Sequence, residues 1–183
     1  MNRPATTDTG GDIPPRAQDM LRHLADLATS TYEGAASWPE RLGLFHRAVE
    51  LVDPVVRRVL DETDATFLDG TGGTATRTVE QDDGSVAAHW ELSWPRQREA
   101  TSRDGGAVAP IQVMAWFRRR FTHPHLRGTI AGDWPLQVLS TDDAARQEPI
   151  VRAIVEAELH QRIFEGHWPV VPVAVRQHGR PPG

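Results

Sequence analysis

Residues 74–94 read TATRTVEQDDGSVAAHWELSW. Two runs of alternating polar and apolar residues, 74–81 and 85–94, flank Asp82-Asp83-Gly84. Asp-Gly suits a tight turn because glycine tolerates positive φ, so the segment reads as a β-hairpin. In its second strand Val86, Ala88, Trp90, Leu92 and Trp94 share one face, and His89, Glu91 and Ser93 share the other. Period two at this point excludes an all-helical chain. What precedes and follows then sets the fold class.

On the N-terminal side the period is helical. Pro14 and Pro15 stand where proline opens a helix. Ala17, Met20, Leu21, Leu24, Leu27 and Ala28 then recur at helical spacing, which predicts one buried face. Ser37-Trp38-Pro39-Glu40 has the form of a capping box, since Ser37 and Glu40 can each satisfy an orphan backbone N–H. Leu42, Phe45, Val49, Val52, Val56 and Val59 follow in steps of three and four. Asp53-Pro54 interrupts this stripe. The expectation is a bent helical pair, or one kinked helix, to about Glu62.

On the C-terminal side a third strand is expected over 111–121, with Ile111, Val113, Ala115, Phe117 and Phe121 on one face and Gln112, Met114, Trp116, Arg118 and Arg120 on the other. A short fourth strand is expected over 135–139. A last helix runs from about Asp142 to Glu165, capped by Ser140 or Thr141, with Pro149 near its start. Val151, Val155 and Leu159 form its main stripe. Ala153, Ala157, Phe164 and Ile150 form a second apolar face, so the helix reads as central. Residues 168–175 read as an extended edge, given their prolines. The order predicts an α+β fold: N-terminal helices, an antiparallel meander of three to four strands, and a long C-terminal helix packed on the sheet. Residues 13–175 form one domain in this reading, between disordered tails at 1–12 and 176–183.

Composition removes many functions. The chain has 183 residues and no cysteine. Thiolate nucleophiles, cysteine zinc sites and iron–sulfur clusters are therefore excluded. Lysine is absent too, and all 20 basic residues are arginine. That excludes Schiff-base chemistry, a lysine-anchored pyridoxal phosphate and a P-loop lysine. All-arginine usage with abundant Ala, Gly, Pro and Val suggests a GC-rich bacterial genome. The formal charge of −5 argues against nucleic acid as a partner, although Arg118-Arg119-Arg120 is a local basic run. No apolar run reaches 18 residues and the first 12 are polar, so the expectation is a soluble cytoplasmic protein without a membrane segment. There is no G-x-S-x-G elbow, no G-x-G-x-x-G loop and no H-E-x-x-H.

Four constellations remain. The first is Thr122-His123-Pro124-His125, where proline holds the chain extended and lets both imidazoles project to one side. His123 and His125 could begin a divalent-metal site, with Asp133 as the favoured third ligand and Glu158, His160 and His167 as others. The bland alternative is a rigid turn. The second is on the last helix, where Glu158 and Arg162 fall within the apolar stripe. They read as a buried i,i+4 ion pair, or Glu158 is a catalytic base with His160, preceded one turn earlier by Glu156, as a second catalytic candidate. A structural pair predicts that Glu158→Ala destabilises the fold. A strained catalytic group predicts little loss or a gain. Third, His89 and Glu91 with Met114, Trp116 and Arg118 either line a pocket for acid–base work or lie on a wet sheet face with cross-strand pairs. Arg127 joins Trp116 and Arg118 as a ligand contact. Fourth, four of the six tryptophans precede proline and read as packing devices, and of the other two Trp116, on the mixed strand face, is the ligand or interface candidate.

Two functions follow. One is a small bacterial, biosynthetic-type enzyme acting on a small molecule or peptide by His/carboxylate or mononuclear-metal chemistry. The other is a non-catalytic binding or accessory protein that uses the Trp-bearing sheet face and a helical surface, with self-association among its partners. Convergence of at least three of His89, His123, His125 and Glu158 favours the enzyme, and dispersal favours the binding protein.

Overall fold

The computed structural model describes residues 15–179. Helix α1 spans Pro15–Thr29 and α2 spans Trp38–Phe67. Strands β1 (Gly73–Glu80) and β2 (Val86–Ser93) form the hairpin, and a short α3 (Pro95–Glu99) follows. Next come β3 (Ile111–Phe117), β4 (His125–Arg127) and β5 (Trp134–Pro135). Helices α4 (Thr141–Arg146) and α5 (Glu148–Gly166), a 3-10 turn (Trp168–Val170) and α6 (Pro172–His178) complete the chain. The five strands lie in sequence order, each antiparallel to the next. This is the α+β meander the sequence predicts, with five strands instead of three or four. Two of them are only three and two residues long. Among the described residues no helix is long and apolar enough to cross a membrane.

The hairpin forms for the stated local reason. Gly84 sits at φ +75° and donates its N–H to Gln81 O, while Ser85 N–H bonds Asp83 Oδ1. Every inward residue of β2 and β3 is buried, from Val86 to Leu92 and from Ile111 to Phe117. Helices α2 and α5 cover that face with Val52, Val56, Val59, Val151, Ile154 and Val155. The two buried indoles each find an acceptor: Trp90 Nε1 donates to Asp53 Oδ1 (2.7 Å) and Trp94 Nε1 to Val170 O (2.6 Å). Asp53 is thereby used inside a helix, beside Pro54.

Several expectations are corrected. Of the two alternatives for α2 the single helix through Pro54 is the one observed, and only its end is corrected, to Phe67, five residues beyond Glu62. The expected fourth strand at 135–139 is displaced to Trp134–Pro135. The last helix is two helices meeting at Gln147, with Ser140 capping the first and Pro149 in the opening turn of the second. Of its second apolar face Ile150 is buried and Ala157 half-buried, whereas Ala153 and Phe164 are exposed, so that face is covered only in part. Residues 168–178 are helical and not extended, because Pro169 and Pro172 each stand at the start of a helical turn, where the fixed φ suits them. Arg176–His178 therefore belong to α6 and not to a tail. The expected tail at 1–12 and Pro14 lie outside the described residues, as do 180–183.

The largest reversal concerns α1. Its leucine face points outward, and its polar residues Asp19, Arg22, His23 and Asp26 point to the body. The pattern correctly identifies a helix with an apolar face, but this face is not in the core.

Candidate functional site

With α2 and α5 on one side, the other side of the sheet is open. The strand register arranges it in cross-strand rows. One row is Val79, Ala87, Trp116, His125 and Pro135. The next is Arg77, His89, Met114 and Arg127, and a third is Ala75, Glu91 and Gln112. His89, Met114, Trp116, His125 and Arg127 are all half-buried. Between the first two rows lies a depression of about 120 Å³ lined by His89, Met114, Trp116, Arg118 and Arg127, with Gln81, Ser85, Val86 and Ala87. All three predicted ligand contacts therefore meet one of the predicted catalytic residues.

Around Trp116 the contacts are specific. Its ring stacks on His125 (centroids 4.8 Å, planes 19° apart), and the Arg118 guanidinium stands 5.1 Å from its centroid. Trp116 Nε1 donates to Asp133 Oδ1 at 3.0 Å, and Arg127 stands 3.6 Å from the same oxygen. Arg118, Arg119 and Arg120 make no salt bridge among the described residues, so their positive field faces solvent beside the depression.

The histidine pair adjoins this face. His123 Nε2 and His125 Nε2 lie 3.1 Å apart, and His123 Nδ1 lies 3.0 Å from Thr122 Oγ1. The tautomers that leave no buried N–H unpaired have His123 donating from Nδ1 to Thr122 and His125 donating from Nε2 to His123. His125 Nδ1 is then a bare lone pair, consistent with its lack of a partner. A third ring, His23, packs edge-on against His123 at 4.0 Å. Burial pushes His123 down to about 4, and the neighbouring His23 and His125 add to the effect. His23, His89 and His125 are lowered by burial as well. The three clustered imidazoles are therefore uncharged at neutral pH.

The 3.1 Å separation is what two imidazoles on one ion would show at metal–nitrogen distances near 2.0–2.1 Å. Among the described residues, however, no set of three or more His, Asp or Glu side chains is placed to enclose a metal ion. Asp133, the favoured third ligand, is engaged by Trp116 and Arg127.

The remaining candidates lie elsewhere. Glu91 is on the open face, where Arg77 (3.0 Å) and Gln112 (2.8 Å) hold it. Glu158 is on the opposite, buried side of the sheet. It accepts from Thr129 N, Thr129 Oγ1, Ile130 N, Gln112 N and Arg162 Nη2. The i,i+4 pair with Arg162 is present at 2.6 Å, and Arg162 also reaches Glu165 and Thr129. His160 is on the solvent side of α5, and His167 follows its end. Gly128 makes room for the Glu158 carboxylate, because a Cβ there would fall 2.7 Å from Oε1 and 3.0 Å from Ile154 Cγ2. Gly128→Ala is expected to lower stability by about 1–3 kcal/mol, seen as a reduced urea midpoint at unchanged slope.

His23 is the residue that sequence reading missed. Its only local signal is its place with Asp19, Arg22 and Asp26 on one side of α1, the side opposite the leucines. Compared with known protein families, with curated proteins and with solved structures, the chain matches none.

Proposed function

We propose that the chain is a non-catalytic binding protein that holds a small anionic molecule against its open sheet face. The anion is a carboxylate or phosphate attached to a flat apolar body. The observation that carries this reading is the juxtaposition of Arg118, Arg127, His89, Trp116 and Met114 around one depression. Guanidinium groups recognise planar or tetrahedral oxyanions through paired N–H donors. Met114 and the edge of Trp116 offer an apolar wall. His89 is neutral at pH 7 and can accept or donate one hydrogen bond without adding charge.

The catalytic alternative lacks a common point. Of His89, His123, His125 and Glu158, only His123 and His125 meet. Glu91 is held by Arg77 and Gln112, and His160 faces away from the site.

The test is calorimetric titration with phenyl phosphate and benzoate, with inorganic phosphate and benzyl alcohol as partial probes. At least one of the first two is expected to bind with Kd on the order of 10⁻⁴ M or tighter and to change tryptophan fluorescence. Arg127→Gln and Arg118→Gln are each expected to weaken it by roughly tenfold, the loss of one charge-assisted contact. Absence of binding at millimolar probe, or affinities untouched by both substitutions, overturns the reading.

A further inference from the structure

Helix α1 meets the body through a polar seam. Arg22 pairs with Asp143 (3.3 Å) and Glu33, Asp19 lies 3.6 Å from Arg146, and Asp26 accepts from Gln137 Nε2 (3.0 Å). Four carboxylates, Asp19, Asp26, Glu33 and Asp143, thus stand against two guanidiniums, Arg22 and Arg146. The seam therefore carries an excess of negative charge. It also borders a cavity of about 80 Å³ between α1, β5 and the junction of α4 with α5. One water needs roughly 10–15 Å³, so the space suits a molecule of several heavy atoms. Asp19, Gln137, Arg146 and Gln147 form its polar lining, and Met20, Trp134 and Ile150 its apolar wall. Both glutamines are almost wholly buried, Gln137 at 1% exposure and Gln147 at 2%. Gln137 Nε2 is committed to Asp26, which makes Oε1 the atom left over, and that oxygen has no partner. Gln147 Oε1 has none either, and Arg146 Nε is a buried donor without an acceptor. Buried polar atoms are ordinarily paired, so three unpaired ones around one cavity point to a ligand that supplies two donors and an acceptor. Water can pair with them but gains nothing against the apolar wall, whereas a ligand with an apolar part gains on both sides.

We infer that this cavity binds a small α-amino amide: a primary ammonium, a neutral carbonyl on the carbon that bears it, and a short branched side chain. The ammonium donates to Gln137 Oε1, Gln147 Oε1 and the Asp19 carboxylate. Asp19 Oδ1 lies 3.5 Å from Arg22 and 3.6 Å from Arg146. Close charge-assisted bonds are about 2.7–2.9 Å, so this carboxylate keeps capacity for a further donor. Arg146 Nε donates to the ligand carbonyl, and the branched side chain lies against Met20, Trp134 and Ile150. The excess of negative charge along the seam favours a net cation and disfavours a ligand with a free carboxylate. This ligand is opposite in charge to the anion held on the open sheet face, and the two sites share no lining residue.

Calorimetric titration of the full chain with valinamide near pH 7 tests this. Valinamide is expected to bind with Kd on the order of 10⁻³ M or tighter. Isobutylamine lacks its carboxamide and 3-methylbutanamide lacks its ammonium. Each is expected to bind at least roughly tenfold more weakly, the loss of one charge-assisted contact. Gln147→Met keeps the length of the side chain and removes the amide. It is expected to weaken valinamide roughly tenfold and to leave the urea midpoint equal or higher, because a buried amide oxygen without a partner does not stabilise the fold. An amide with a merely structural role gives the reverse, a lower midpoint with affinity kept. Should Gln147→Met fail to fold, Asp19→Asn at a half-buried site decides, with a similar loss of affinity expected. No binding at roughly 10 mM valinamide, equal affinity for the three probes, or affinity unchanged by both substitutions overturns the inference. The first of these outcomes leaves the cavity to ordered water.

Discussion

Glu158→Ala is expected to lose about 3–5 kcal/mol of folding stability, a large share of what a chain of this size holds. Glu158 is fully buried and Arg162 is 2% exposed. Truncation removes one member of a buried ion pair and leaves the other. Glu165 and Thr129 remain to Arg162, which keeps the loss from exceeding this range. The backbone N–H groups of Thr129 and Ile130 also lose an acceptor, since both donate to Glu158 Oε1 at 2.7 and 3.2 Å. Without that oxygen the loop after β4 is tied to α5 by the bond from Arg162 Nη2 to Thr129 Oγ1. Both residues are exposed, so water can take the place of that oxygen and their share of the loss is small beside that of the buried ion pair. Glu158→Gln keeps one acceptor oxygen and the side-chain shape but places an amide N–H₂ against donors, so its loss should be intermediate. Urea unfolding monitored by tryptophan fluorescence reads both. A midpoint within error of wild type for Glu158→Ala would refute the clamp and return Glu158 to the catalytic candidates.

Acidification is expected to weaken the fold before the ordinary carboxylates titrate. His23, His123 and His125 have ordinary values near 6.5 in the unfolded chain, and all three lie below that in the folded protein. Between pH 6.5 and 4 the unfolded state therefore binds more protons, so stability is complete above pH 6.5 and falls as pH drops through that window. His123, at about 4, dominates. Its contribution is about 2–3 kcal/mol by pH 4. Burial is the first cause. The second is repulsion, since protonated His23 and His125 oppose a charge on His123. Asp26 works the other way on His23 and His123, as Asp133 does on His125, whereas Arg127 reinforces the depression of His125. His123→Gln cannot take the proton, so its loss between about pH 7 and about pH 5 should be visibly smaller than that of wild type. Equal losses in the two proteins would show that the cluster does not carry the effect. Because His23 belongs to α1, amide exchange in α1 should rise first on acidification.

How far the chain could be read depends on what each signal measures. The hairpin was legible because Asp-Gly geometry and period two are local properties of twenty residues. The start of α2 was legible because Ser37 and Glu40 satisfy each other within one turn. The juxtaposition of Trp116, Arg118 and His89 was legible once β2 and β3 were paired, because register follows from the buried alternation. By contrast, β4 and β5 are too short to carry a period, and they exist because β3 offers them an edge. Residues 168–178 held two prolines that suit an extended edge or a helix start equally well, and contact with Trp94 and α2 selects the helix.

Helix α1 shows most plainly where local information stops. A stripe of leucines states that a helix has an apolar side, and it is silent on what lies against that side. Burial is a relation between two surfaces, and here the polar side found the better partners in Asp143, Arg146, Gln137 and His123, all more than a hundred positions further along the chain or close to it. The same holds for Glu158. Its helical spacing to Arg162 was readable from the sequence, but the loop donors that surround it come from Thr129 and Ile130, which no period connects to α5. Periodicity, capping and turn chemistry act over a few residues and set the elements. Which faces meet is settled by the summed desolvation and hydrogen bonding of the packed whole.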